Sequence, residues 1–212
     1  MAVYTKITNK EIISISNFYH LGKVIRFKGI KKGIENTNYL LKTNKKKLIL
    51  TIFEKRVQIK DLPFFMNLMD KLSQKNIICP KPLKDKKGKY LSKIKGKSAC
   101  IVSFIEGKDK AKLNNKNCFE IGKNIAKLHQ AANKIKLYRH NSMSVTRLDS
   151  LLKSIKIKSS KLGSEIIPAL YKNLKDIKKQ WPKNLPSGII HGDLFIDNIF
   201  FNKNNFSGFI DF

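Results

Sequence analysis

Arginine, cysteine and acidic residues are all scarce in this chain of 212 residues. Four of the 44 basic residues are Arg and the other 40 are Lys. Arg supplies the planar fork that reads bases and grips phosphate bidentately. Its scarcity therefore argues against a sequence-reading nucleic-acid protein, despite a formal net charge of +29. The lysines are spread over nearly every segment, and Lys, Ile and Asn, all abundant, share A/T-rich codons. The charge reads as mostly compositional, with a general attraction to anionic ligands such as nucleotides. Cys79, Cys100 and Cys118 are odd in number and contain no C-x-x-C pair. That speaks against a disulfide framework or a zinc site and for a reducing compartment. No apolar run reaches the length of a bilayer span, and MAVYTKITNKEI lacks the apolar core of a signal peptide. The expected location is the cytoplasm, with no membrane partner and no specific nucleic acid.

What is present is the composition of a globular protein, 42% apolar and 9% aromatic. Thr8-Asn9-Lys10-Glu11 reads as a capping box opening a helix over 8–21 that closes at Gly22. Strand patterns follow in VIRFKGI, IENTNYLLKT and KLILTIFE, between Val24 and Glu54, with turns at Gly29/Gly33 and Asn44-Lys45-Lys46. Residues 61–75 return to helical spacing, with Pro63 in the first turn. Pro80 and Pro82 interrupt the chain, and strand-like runs resume at Lys89–Lys95 and Ser98–Ile105. Beyond Glu106-Gly107 the pattern turns helical over 115–137, 145–156 and 164–181. Short strand-like apolar runs close the sequence at Gly188–Ile190, Ile199–Phe201 and Phe206–Phe212, the last carrying Asp211 near its end. The expected architecture is α+β and two-lobed. Residues 1–105 form an antiparallel β-rich lobe, and residues 106–212 an α-rich one. A cleft between two such lobes is a usual place for a ligand.

The stretch SGIIHGDLFIDNIFF, residues 187–201, sets His191, Asp193 and Asn198 between apolar runs, and Asp211 follows in SGFIDF. Oxygen ligands of this kind, without an excess of His or Cys, suit Mg²⁺ rather than zinc. The order H-x-D-x4-N followed by a later acid is the phosphotransfer layout of protein kinases. There the first Asp orients and deprotonates the attacking hydroxyl. The Asn and the later Asp hold the metal ions that neutralise nucleotide phosphates. Loop Asp and a turn-capping Asn are each common alone; the spacing and order of all three carry the reading.

HGDLFIDN with the terminal IDF resembles the aminoglycoside and choline kinase-like superfamily, a protein-kinase-like fold that phosphorylates small-molecule hydroxyls. Within it the chain is most similar to the bacterial homoserine kinases of this fold. The similarity runs through MAVYTKIT, GIENTNYLLKT, LTIFE, LPFFMNLMDKL, CPKPLKDKKG, FIEG and SGIIHGDLFIDNIFF. The resemblance implies Asp193 as catalytic base, Asn198 and Asp211 as Mg²⁺ ligands, and His191 as a structural position of the motif. It implies ATP as phosphoryl donor and L-homoserine as acceptor. Another small alcohol, of choline or aminoglycoside type, is the near alternative. A basic nucleic-acid-binding protein is the distant one, and it would call for clustered Arg and exposed aromatics, which the sequence does not show.

For the nucleotide, the turn with Gly33, Glu35 and Asn36 would offer backbone N–H donors over residues 33–38. Ser103–Gly107, including Ile105, would offer main-chain groups to adenine. Two glycines in a hairpin suit a plain turn equally well. Thr51 stands where the wider superfamily has a Lys or Arg for the α- and β-phosphates, which leaves Lys55 or Arg56 as candidate cations or as surface residues. The partner Glu of the following helix has no obvious counterpart in LPFFMNLM. Leu128-His129, on the long helix, reads as facing the core. Relatives of this resemblance continue past the last acid, so the chain is expected to be truncated after Asp211 and to turn over slowly if expressed alone. Neither oligomeric state nor any acceptor-pocket residue is legible from it.

Overall fold

The computed structural model describes residues 3–33, 35–54, 58–155 and 161–212, and the side chains of its last stretch from residue 166. Helix α1, Asn9–Phe18, begins where its sequence signal lies. Thr8 Oγ1 accepts from the Glu11 N–H at 3.3 Å, and the Glu11 carboxylate accepts from the Thr8 N–H at 2.8 Å. This reciprocal box satisfies two donors that a helix start otherwise leaves open. The helix ends short of the expected residue 21, because His20 and Gly22 both take positive φ, 52° and 90°.

Strands β1 (Val24–Gly29), β2 (Thr37–Thr43), β3 (Lys47–Ile52), β4 (Leu91–Ile94) and β5 (Lys97–Ser103) form one antiparallel sheet in the order β1-β2-β3-β5-β4. Alternation assigns its two faces. Tyr39, Leu41, Leu48, Leu50, Ile52, Ala99 and Ile101 pack with Ile12 and Leu21 on the α1 side. On the other face Cys100 and Val102, with the partly buried Ile49, meet Met66 and Met69 of α2, Leu62–Gln74.

A second cluster joins α2 to α3, Asn115–Asn133, and to the hairpin β6 (Ile199–Asn202) and β7 (Asn205–Phe209). Leu68, Leu72, Leu128, Ala132, Ile199, Phe201 and Phe209 are among its buried members. Leu128 is core as expected, whereas His129 beside it is exposed. Contacts divide the chain into two compact units, residues 1–137 with 188–212, and residues 138–187. The second unit contains α4 (Val145–Ser154) and α5 (Lys161–Gln180), held by Asp149 between Lys153 and Lys178 at 3.1 and 3.0 Å. The residue 105/106 division expected from the sequence falls inside the first unit.

Two expectations are corrected. Gly188–Ile190 forms no strand: no neighbouring strand among the described residues takes its N–H and C=O groups, and Ile190 is 63% exposed. Asp211 is not inside a strand either. β7 stops at Phe209, and Asp211 adopts a left-handed conformation with φ 66°, which breaks the extended run. Among the described residues, no helix is long and apolar enough to cross a membrane.

Candidate active site

The site residues hang on the β6–β7 hairpin. Asn198 ends a 3-10 turn, Ile196–Asn198, and is 9% exposed. Its N–H donates to Phe195 C=O at 3.0 Å, and its C=O accepts from Ile210 N–H at 3.0 Å. Its side-chain amide donates to Asp193 C=O at 2.8 Å and lies 3.5 Å from Asp193 Oδ2. With Nδ2 committed in this way, no hydrogen bond among the described residues engages Asn198 Oδ1, which could serve as an oxygen ligand.

His191 Nε2 donates to Ile210 C=O at 2.9 Å, and its ring lies against Phe212 with centroids 4.6 Å apart. Burial keeps this imidazole's pKa below its usual value, although the Ile210 bond and the charges of Asp211 and Asp193 act the other way. With Nε2 donating, the neutral ring is the Nε2–H tautomer, whose Nδ1 carries no proton. That nitrogen is buried, and among the described residues it has no hydrogen-bond partner. Gly192 follows with φ 84°, a conformation that costs glycine little and strains other residues. His191 thus clamps the loop to the segment after β7, while Asp193 stays exposed.

Asp211 has solvent access, yet crowding by surrounding protein is the first cause that raises its carboxyl pKa. The negative charge of Asp193 is the second. Glu35 and Asp197 add to it, and His191 opposes it. Because water reaches the group, screening keeps the effect modest. Four carboxylates therefore share one field, and a cation would relieve it. Among the described residues, no three His, Cys, Asp or Glu side chains converge as a metal site on their own. Asn198 Oδ1 and the Asp211 carboxylate fit Mg²⁺, a hard cation that binds few protein oxygens and completes its shell with water and phosphate.

The nucleotide-side expectations are placed as follows. Thr51 pairs with Asn38 across β2 and β3, and its hydroxyl donates to Asn38 Oδ1 at 2.7 Å. Gly33 has φ 98° in the turn between β1 and β2, and Asn36 Oδ1 accepts from Glu54 N–H at 3.3 Å. Glu35 lies in the same turn, close enough to act on Asp211. Ser103 N–H and Oγ both engage the Lys81 backbone, at 2.9 and 2.8 Å, while Ile105 N–H donates to no backbone carbonyl among the described residues. Lys55 and Arg56 lie outside the described residues.

One anchor escaped the sequence reading. The Glu54 carboxylate accepts from Thr5 Oγ1 and Thr37 Oγ1, each at 2.7 Å, and pairs with Lys97. Thr37 Oγ1 in turn accepts from the Tyr4 and Thr5 N–H groups at 2.9 and 3.1 Å. This network sews the N-terminal segment to the start of β2, where the turn ends. An acid closing the strand pattern KLILTIFE was its only sequence signal.

An antiparallel sheet with a helix on its face, joined to an H-G-D loop and a hairpin that fixes Asn198 and a trailing acid, defines a protein-kinase-like fold. Solved structures agree. An amicoumacin kinase bound to AMP-PNP, Ca²⁺ and Ami superposes with TM-score 0.72 at 17% identity, covering 97% of this chain and 63% of that one. A choline kinase from Cryptosporidium parvum Iowa II gives TM-score 0.64 at 17% identity, covering 96% and 64%. At such identities the likeness establishes the fold.

The phosphotransferase enzyme family matches residues 26–212, and the chain belongs to that family. The homoserine kinase of Rhizobium meliloti (strain 1021) is 41% identical over all 212 residues of this chain, and that of Methylobacterium radiotolerans 37%. The chain spans 65% and 66% of the length of these two relatives.

Proposed function

We propose that the protein is an ATP- and Mg²⁺-dependent homoserine kinase, forming O-phospho-L-homoserine for threonine biosynthesis in the cytoplasm. One observation carries the reading of the site: Asn198 bonds the Asp193 loop through its side-chain amide, while its main-chain carbonyl accepts from Ile210 N–H, the residue before Asp211. That divides the labour. Asp193, exposed and held at its main chain, orients the acceptor hydroxyl and takes its proton as the oxygen attacks. His191 keeps the loop in place through Ile210 and moves no proton itself. Asn198 Oδ1 and Asp211 would hold Mg²⁺, which would supply charge neutralisation at the transferring phosphoryl group. The turn with Gly33, Glu35 and Asn36, and the Thr51 hydroxyl, lie on the triphosphate side. The main chain at Ser103 and Ile105 faces adenine, and residues 1–105 form the nucleotide-binding lobe.

Homoserine as acceptor rests on the relatives named above, since no residue described here selects it. The test is ADP release in the presence of homoserine, choline, an aminoglycoside and a buffer blank. Homoserine-dependent turnover that needs Mg²⁺ supports the reading, and turnover confined to choline or the aminoglycoside overturns the acceptor.

A further inference from the structure

Among the described residues, the groups placed at the proposed nucleotide site are neutral or acidic. Thr51, where wider relatives are expected to place a cation, is neutral and already donates to Asn38. Asp193, Asp197, Asp211 and Glu35 surround the site with negative charge. A triphosphate brings more, and even a divalent ion leaves the complex anionic.

A cation stands at the edge of this field. Lys32 lies in the turn between β1 and β2, three residues before Glu35. Its Nζ lies 2.7 Å from Asp109 Oδ2, across a sequence gap of 77 residues. Asp109 lies on a segment that is anchored to β6. Its neighbour Lys108 exchanges main-chain bonds with Phe201 at 3.1 and 2.9 Å, and Phe201 lies in the strand that starts directly after Asn198. The turn therefore approaches the site through Glu35 towards Asp211, and through Lys32 it is tied to the segment that pairs with β6. The side chains of Lys32 and Asp109 are 65% and 39% exposed. A pair so open to water contributes little to stability and exchanges partners easily. Phosphate oxygens carry more charge than one carboxylate and form stronger charge-assisted bonds with an ammonium group.

We propose that Lys32 is a phosphate-binding residue for the nucleotide and that Asp109 holds its ammonium in place until the polyphosphate displaces the carboxylate. This rests on the nucleotide-site reading given above. It sets opposite signs for the two members of one ion pair. Losing Lys32 removes a phosphate ligand, whereas losing Asp109 removes a competitor for it. A brace that only closed the turn would make both losses harmful.

The experiment is calorimetric titration of a non-hydrolysable ATP analogue with Mg²⁺, and of adenosine in parallel. It compares the unchanged protein with Lys32→Met and Asp109→Asn, each verified as folded by circular dichroism. Lys32→Met should weaken the triphosphate on the order of tenfold and leave adenosine unaffected. Asp109→Asn should tighten the triphosphate about two- to fivefold. Weaker binding by Asp109→Asn, or unaltered triphosphate binding by Lys32→Met, overturns the assignment while leaving the nucleotide site standing. Failure of the unchanged protein to bind either ligand overturns both.

Discussion

The Asn198 side-chain amide donates to the Asp193 carbonyl at 2.8 Å, so the residue proposed to hold the metal also holds the loop of the proposed base. The two roles are mechanically linked but chemically separable. Asp193→Asn keeps the main-chain bond and removes only the carboxylate. It should lower kcat by about 10²- to 10⁴-fold with little change in nucleotide affinity, as measured by ADP release and calorimetry. Asn198→Ala removes both functions and should lower kcat and Mg²⁺-nucleotide affinity together. Normal turnover by a folded Asp193→Asn variant would refute its assignment as base.

Asp211→Asn removes one of four mutually repelling carboxylates. Relief of that repulsion should leave the metal-free melting temperature unchanged or raised by no more than about 2–4 °C, the response of a chain this size to roughly 1 kcal/mol. The added stability that Mg²⁺ with an ATP analogue gives the unchanged protein should be absent in the variant. Thermal melts with and without the ligand pair report both effects. A variant that melts several degrees lower and keeps the full ligand response would show Asp211 to be structural instead.

Glu54 is the ionisable centre of the N-terminal stitch. Burial raises its carboxyl pKa, but hydrogen bonds from Lys97, Thr37 and Thr5 outweigh that and hold it below the ordinary 4.5. A depressed folded value means that the unfolded chain binds the proton more readily. The stabilisation is therefore complete above pH 4.5 and is lost as pH falls through the lower folded value. Its side chain is 9% exposed. Glu54→Gln should cost about 1–3 kcal/mol at neutral pH by leaving Lys97 and the hydroxyls imperfectly paired. Denaturant midpoints of the two proteins should converge below pH 4.5. A constant difference down to pH 3 would contradict this account.

The thiols provide a check on the packing. Burial pushes the Cys79 and Cys100 thiols up to about 12, whereas Cys118 is exposed. An aromatic disulfide reagent at pH 8 should therefore label one thiol rapidly and the other two only on unfolding. Three fast thiols would mean that the core around Met66, Met69 and Val102 is not formed.

Much of this architecture was legible because its signals are local. The Thr8/Glu11 box, the alternation in β2 and β3, Pro63 in the first turn of α2 and the apolar spacing of α3 each act within a few residues. The order of His191, Asp193, Asn198 and Asp211 was legible for the same reason. What depends on distant partners was not. Gly188–Ile190 has a strand's composition but finds no strand to pair with. Asp211 leaves the extended run through its own backbone conformation. Glu54 with Thr5 and Lys97, and Lys32 with Asp109, join residues 43 to 92 positions apart, which no periodicity reports. Exposure is a tertiary property too: Phe119, Tyr138, Trp181 and Phe195 lie largely in solvent, which their sequence surroundings did not disclose.

The most direct test of the central claim is the ³¹P spectrum of a reaction containing the protein, ATP, Mg²⁺ and L-homoserine. The account predicts loss of the ATP γ-phosphorus signal and growth of a phosphomonoester that co-migrates with authentic O-phospho-L-homoserine. That signal should be absent without Mg²⁺ and absent with Asp193→Asn. Phosphomonoester formation that persists with Asp193→Asn, or inorganic phosphate as sole product whether or not homoserine is present, would contradict it.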